Sequence, residues 1–223
     1  MTVTLMLTST GGVYSAQTIM QASASTRHDV RVVAVDAGDK AAAVNVADVF
    51  ARVPFGSDPE YVDRVCDVIK REKVDLVVPC SDEEALTLSA ARQQVENVGA
   101  TLACTDADTL AIFADKMKTY NALGEAGIAV ADWRYVETVD EFEAAFDRVA
   151  AIIRAEDPGL RNPASRSVLV ESFLPGVEVA LEGLLDSGDL TTLAIFDKPD
   201  PLDGPFFEET IYVTPSRLES SKH

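Results

Sequence analysis

Glu171-Ser-Phe-Leu-Pro-Gly-Val-Glu178 lies between two strand-like runs, and the reading of this stretch decides the fold. Ser167 to Val170 is β-branched and apolar, and Val179 to Leu185 continues apolar with Glu182 and Gly183 interrupting it. The segment therefore reads as strand, bend, strand, with Pro175-Gly176 making the bend. A strand that ends at a bend leaves backbone groups of residues such as Ser172 and Leu174 without ladder partners, and an adenine edge offers one acceptor and one donor to match them. Phe173 and Leu174 would supply apolar walls for the base. Glu178, two residues past the bend, would accept hydrogen bonds from both hydroxyls of a ribose. The same residues also fit a plain hairpin with solvated glutamates at its mouth, and on local pattern alone both readings stand.

The rest of the composition narrows the possibilities. A chain of 223 residues, 47% apolar and 25% charged, has the makeup of a folded protein with one large or two small domains. Its 37 acidic against 19 basic residues give a net charge of −18, which argues against unselective binding to nucleic acid or to an anionic membrane. No run approaches the length of a membrane span, and the N-terminus lacks the basic start of a signal peptide. Cys66, Cys80 and Cys104 sit in apolar surroundings without metal-ligand spacing, so buried, reduced thiols and a cytoplasmic location are expected. With only His28 and His223, histidine catalysis and zinc sites have little support.

The first hundred residues alternate strand and helix signals, the pattern of a parallel sheet covered by helices. Strands are expected at Val3 to Leu7, Val30 to Val35, Asp48 to Val53, Asp75 to Pro79 and Leu102 to Cys104. Gly11-Gly12 turns the first strand into a helix through about Ala24. Val62, Val65, Cys66 and Ile69 fall on one helical face between Pro59 and Glu72, with Asp58 as the expected N-cap. Ser81-Asp82 opens a further helix carrying Leu86, Leu88 and Val95. Ser81, Asp82 and Glu83 stand at the carboxyl end of a strand, where open sheets bind ligands, although capping the helix is the simpler role. Gly11-Gly12 with Asp36 also suggests a dinucleotide site, but the G-x-G-x-x-G fingerprint is absent and that reading is set aside. Thr105 to Gly127 reads as two helices with Lys116 between them, and Arg134 to Glu137 as a strand.

The segment Glu171 to Glu178 resembles the hinge of the ATP-grasp superfamily, in particular the carbamoyl-phosphate synthase large-subunit and carboxylate-amine ligase branch. Leu193-Ala-Ile-Phe-Asp-Lys198 and Gly204 to Ser216 resemble the next strands of that fold. Ala47-Asp-Val-Phe-Ala-Arg-Val-Pro54 and Val74-Asp-Leu-Val-Val-Pro-Cys-Ser-Asp-Glu-Glu84 resemble its pre-ATP-grasp domain. The resemblance implies an α/β protein: a Rossmann-like domain at 1–105, a helical linker and crossing strand at 106–138, and a partial α+β nucleotide-binding domain at 139–223. It implies ATP and Mg2+ as ligands, with Glu171, Ser172, Phe173 and Leu174 lining the adenine, Glu178 holding the ribose and Lys116 reaching the triphosphate. The family joins a carboxylate to an amine or similar nucleophile through an acyl phosphate, so a small carboxylate is the implied substrate.

Two departures accompany the resemblance. Where the family runs through a Lys-Pro strand end and a glycine-rich phosphate loop, Thr138 leads straight into a helical stripe of Val139, Phe142, Phe146, Val149 and Ile153. The strands that carry the family's magnesium-binding acid have no counterpart before His223, and Glu208 and Glu209 are candidates only by their place in the sequence. The expectation is therefore either a ligase of this family or a remnant that binds a nucleotide or partner without turnover, covering its sheet edge by forming a homodimer.

Overall fold

The computed structural model describes residues 2–12, 19–20, 24, 29–131, 133–136, 168–171, 176–200 and 211–218. Packing divides the chain into two units, Met1–Val170 and Glu171–His223.

In the first unit, strands β1 (Thr2–Leu7), β2 (Asp29–Asp36), β3 (Val49–Arg52), β4 (Leu76–Val78) and β5 (Thr101–Leu102) form one sheet in the order β3-β2-β1-β4-β5. Every pairing is parallel. Such a sheet is buried on both sides, so its strands are apolar at consecutive positions. Met6, Val33, Val35 and Val77 turn to one face and pack with Tyr61, Val65 and Ile69 of α1 (Tyr61–Glu72), Leu88 of α2 (Asp82–Ala90) and Val95 of α3 (Arg92–Asn97). Leu7, Val32 and Ala34 turn to the other face, with Ile19 and Ala43 against them. The period of two thus sorts one run of valines into two cores.

The expected strands are present with ends shifted by a residue or two, as frayed element ends usually are, and so are the helices expected between Pro59 and Glu72 and over Thr105 to Gly127. The helix expected to run from Ser81 through Val95 is broken at Ala91 into α2 and α3, and most of the helix expected after Gly11-Gly12 lies outside the described residues. Three further details differ. Asp58 does not cap α1: Glu60 holds the N-cap position without a side-chain bond, and Asp58 Oδ1 instead accepts from Glu60 N at 2.9 Å, one turn earlier. Of the three free thiols only Cys66 is buried; Cys104 is half-buried, and Cys80, just past β4, is exposed. Lys116 does not lie between two helices. It is the first residue of α5 (Lys116–Glu125), which follows α4 (Ala107–Phe113), because Asp115 caps that helix by accepting from Met117 N and Lys118 N.

Strands β6 (Trp133–Val136) and β7 (Val168–Glu171) pair as a two-stranded sheet. The stripe from Val139 to Ile153 and the pair Glu208 and Glu209 lie outside the described residues. In the second unit, β8 (Glu178–Asp186) and β9 (Asp189–Lys198) make an antiparallel hairpin around Ser187 and Gly188, both at positive φ. Positive φ at both loop residues matches the right-handed twist of the strands.

Candidate functional site

Of the stretch Glu171 to Glu178, the structure describes the end of β7 and, from Gly176 onward, the approach to β8. Glu171 ends β7, Ser172, Phe173 and Leu174 lie outside the described residues, and Gly176 sits at φ 148°. Glu178 opens β8 with its side chain 47% exposed, while directly across the ladder Lys198 is 12% exposed. Lys198 Nζ donates to Glu178 Oε1 at 2.5 Å. The same ammonium lies 5.4 Å from the centre of the Tyr212 ring, which meets Phe196 edge-on at 6.1 Å. Charge and ring faces thus hold the lysine in one place.

Asp197 faces away from that cluster and anchors the following segment. Its backbone exchanges hydrogen bonds with Val213 at 2.8 and 2.9 Å. Its carboxylate accepts from Ser216 Oγ at 2.6 Å, and from Arg217 Nε at 2.8 Å and N at 3.1 Å. The Ser216 hydrogen bond, followed by those from Arg217, holds the Asp197 carboxyl down to about 2. Sequence reading did not single out Lys198, Asp197 or Tyr212. A lysine ending a strand that returns toward Glu178 was the available signal, but the register that joins them is set inside the hairpin.

A second candidate place belongs to the first unit. β1 and β4 are neighbours whose connections leave in opposite directions along the sheet, and open α/β sheets bind ligands outside the strand ends at such a switch point. Thr8, just past β1, donates from Oγ1 to Glu84 Oε2 at 2.5 Å and accepts from Cys80 N at 3.3 Å. Ser81 is the N-cap of α2, accepting from Glu84 N, and its hydroxyl also donates to Glu84 Oε2 at 3.3 Å. Glu83 accepts from Ser57 N at 2.6 Å, while Asp82 stays exposed on the first turn. Ser81 and Glu83 are therefore engaged in holding local structure. Asp36 likewise accepts from Gly38 N at 2.7 Å, and its carboxylate would stand 3.1 Å from a Cβ placed on Gly11, a tight contact that the carboxylate would have to yield to. Burial pushes the Glu84 carboxyl above the ordinary carboxylate range, against the hydrogen bonds from Thr8 and Ser81 that favour its charge.

Lys116 lies in the first unit, its ammonium 5.7 Å from the Tyr120 ring centre. Among the described residues no group of three or more His, Cys, Asp or Glu is arranged to hold a metal ion, and no helix is long and apolar enough to cross a membrane.

A parallel five-stranded sheet followed along the chain by an antiparallel hairpin with a charged mouth defines a two-unit α/β protein. The profile of a PylC-like N-terminal domain matches residues 5–103, and that of an ATP-grasp domain matches residues 127–223. The chain thus carries a PylC-like N-terminal domain followed by an ATP-grasp domain. Among solved structures, an L-amino acid ligase from Bacillus licheniformis superposes with a TM-score of 0.71 at 18% identity, over 98% of this chain and 56% of its own. The N5-carboxyaminoimidazole synthetase of Staphylococcus aureus, complexed with ADP, gives 0.63 at 13% identity, over 99% and 59%. The biotin carboxylase domain of Hydrogenobacter thermophilus 2-oxoglutarate carboxylase, complexed with MgADP, ADP and bicarbonate, gives 0.63 at 14%, over 98% and 55%. At these identities the likeness establishes the fold. The chain spans little more than half the length of these relatives. No curated protein matches it by sequence.

Proposed function

We propose that this chain binds ATP at the hinge between β7 and β8 and serves the ATP-dependent joining of a small carboxylate to an amine or similar nucleophile. The observation that carries the reading is the match of residues 127–223 to an ATP-grasp domain, over the stretch that holds both the Glu171–Glu178 hinge and its partner strand β9. In this reading Glu178 accepts the ribose hydroxyls, the backbone about Ser172 and Leu174 meets the adenine edge beside Phe173 and Glu171, and Lys116 meets the phosphates. An exposed carboxylate held in one rotamer is a suitable ribose acceptor, because little side-chain freedom is lost on binding. Magnesium would arrive with the nucleotide and neutralise phosphate charge; no residue is assigned to it. Phosphoryl transfer depends mainly on positioning and charge neutralisation, so the side chains reaching the triphosphate decide whether binding leads to turnover. A cytoplasmic location and a homodimer belong to the same proposal.

Isothermal titration of the chain with ATP and magnesium, repeated with Glu178→Ala, tests it. Binding that the substitution weakens about tenfold or more, the worth of a charge-assisted hydrogen bond, supports the site. A folded chain that takes up no ATP would point to an interaction module.

A further inference from the structure

We propose that Lys198 is the positioning residue for the ribose acceptor, so that the nucleotide meets the pair Glu178 and Lys198 as one preformed unit. This rests on the reading of Glu178 given above and extends it to a residue that no nucleotide atom need touch.

Three observations carry it. Glu178 and Lys198 are direct cross-strand partners at the open end of the hairpin, with the ammonium on Oε1 at 2.5 Å. The lysine is the covered member of the pair and the glutamate the open one, with side chains 12% and 47% exposed. Surface ion pairs usually join two mobile side chains; here the cation is largely covered and the anion is presented to solvent. Finally, the end of β9 is fixed on both of its faces by residues 211–218. Tyr212 covers Lys198 and Phe196 on one face, and on the other Asp197 is tied to Val213, Ser216 and Arg217. Lys198 therefore has its position set by the strand end and the Tyr212 ring before any ligand arrives.

Two consequences follow. With one carboxylate oxygen engaged, the group is held in a single orientation and its other oxygen remains available to a hydroxyl. The pair is also neutral as a whole. In a chain of net charge −18, an unpaired carboxylate beside a polyanionic nucleotide would add to the repulsion, whereas a lysine-paired one keeps its hydrogen-bonding directionality without contributing net charge.

The test compares binding of ATP and of 2′,3′-dideoxy-ATP, each with magnesium, by the wild-type chain and by Lys198→Met, Lys198→Arg and Glu178→Gln. A residue acting only on stability would change both affinities together, so the ratio between the two nucleotides is the readout. Wild type is expected to prefer ATP by about tenfold or more, the worth of hydrogen bonds to a charged acceptor. Lys198→Met should bring that ratio to within about twofold, and Lys198→Arg, which keeps the cation, should retain most of it. Tyr212→Leu, which leaves both charges in place and removes only the ring over the ammonium, should give an intermediate ratio. If Glu178→Gln abolishes the preference while Lys198→Met keeps it, or binds ATP more tightly than wild type, the positioning role is overturned and the ribose reading stands. If wild type shows no preference, or binds neither nucleotide, both are overturned.

Discussion

Thr8 Oγ1 donates a 2.5 Å hydrogen bond to Glu84 Oε2, tying the carboxyl end of β1 to the first turn of α2 inside the first unit. Both residues are buried, at 0% and 6% exposure, so the hydroxyl supplies part of the solvation that the carboxylate gave up on folding. Thr8→Val keeps the shape and removes the donor. It is expected to cost about 2 kcal/mol, since it removes the shorter of the two hydrogen bonds, from Thr8 and Ser81, that reach this buried oxygen, and urea unfolding of the variant measures this. A loss below about 0.5 kcal/mol would show that Glu84 finds another donor there.

The same carboxyl makes stability depend on pH. Its folded-state pKa lies above the ordinary 4.5, chiefly through burial, so the stability it contributes is complete below that value and is lost as pH rises through the raised one. Glu84→Gln cannot ionise and escapes this loss. The melting temperature of the variant should therefore gain on that of wild type as pH is raised from about 4 to about 8. A difference that stays constant across the series would contradict the assignment.

Tyr61 Oη is buried and makes no hydrogen bond among the described residues, although it lies beside Thr8 and Glu84; burial and then the Glu84 charge push its pKa far above the ordinary range. Removing an unsatisfied polar atom from a core relieves its desolvation cost. Tyr61→Phe should be neutral or stabilising by up to about 1 kcal/mol in the same unfolding assay, and a clear destabilisation would reveal a bond to one of those neighbours.

Asp197 titrates at the opposite extreme. Its carboxyl is held near 2, against an ordinary 3.8, first by the Ser216 hydroxyl and then by Arg217. Because the folded value is the lower one, the stabilisation is present above 3.8 and is lost as pH falls through about 2. In Ser216→Ala the Asp197 carboxyl resonance, followed by NMR, should titrate at higher pH than in wild type. An unchanged midpoint would assign the shift to Arg217 alone.

Gly183 stands at the register shift of the hairpin, where a Cβ would come within 2.8 Å of Leu190 Cδ1 and 3.1 Å of the Thr191 carbonyl oxygen. Gly183→Ala is expected to cost about 1–3 kcal/mol through overpacking and to loosen the contact between Glu178 and Lys198. Thermal unfolding gives the first effect, and cross-strand NMR contacts between the two residues give the second.

The alternation of apolar runs with helical stripes sufficed to assign a parallel sheet covered by helices, because period two and period 3.6 are written in residue order, while the strand order β3-β2-β1-β4-β5 came only from the structure. Glu171 to Glu178 likewise showed its bend locally, through Pro175-Gly176. The identity of Glu178's partner was not local. Counting outward from Ser187 and Gly188, Asp186 faces Asp189, and an unbroken register would set Glu178 against Asp197, two like charges. The irregularity between Glu182 and Gly183 adds one residue to the β9 side and brings Lys198 opposite Glu178 instead. Asp197 then turns to Ser216 and Arg217. Composition and periodicity determined which strands exist, since those depend on a residue's near neighbours. Whether the glutamate at the hinge meets a cation or an anion was decided only by the packed hairpin, because a one-residue shift exchanges the faces of a strand and depends on contacts far from Glu178 in sequence.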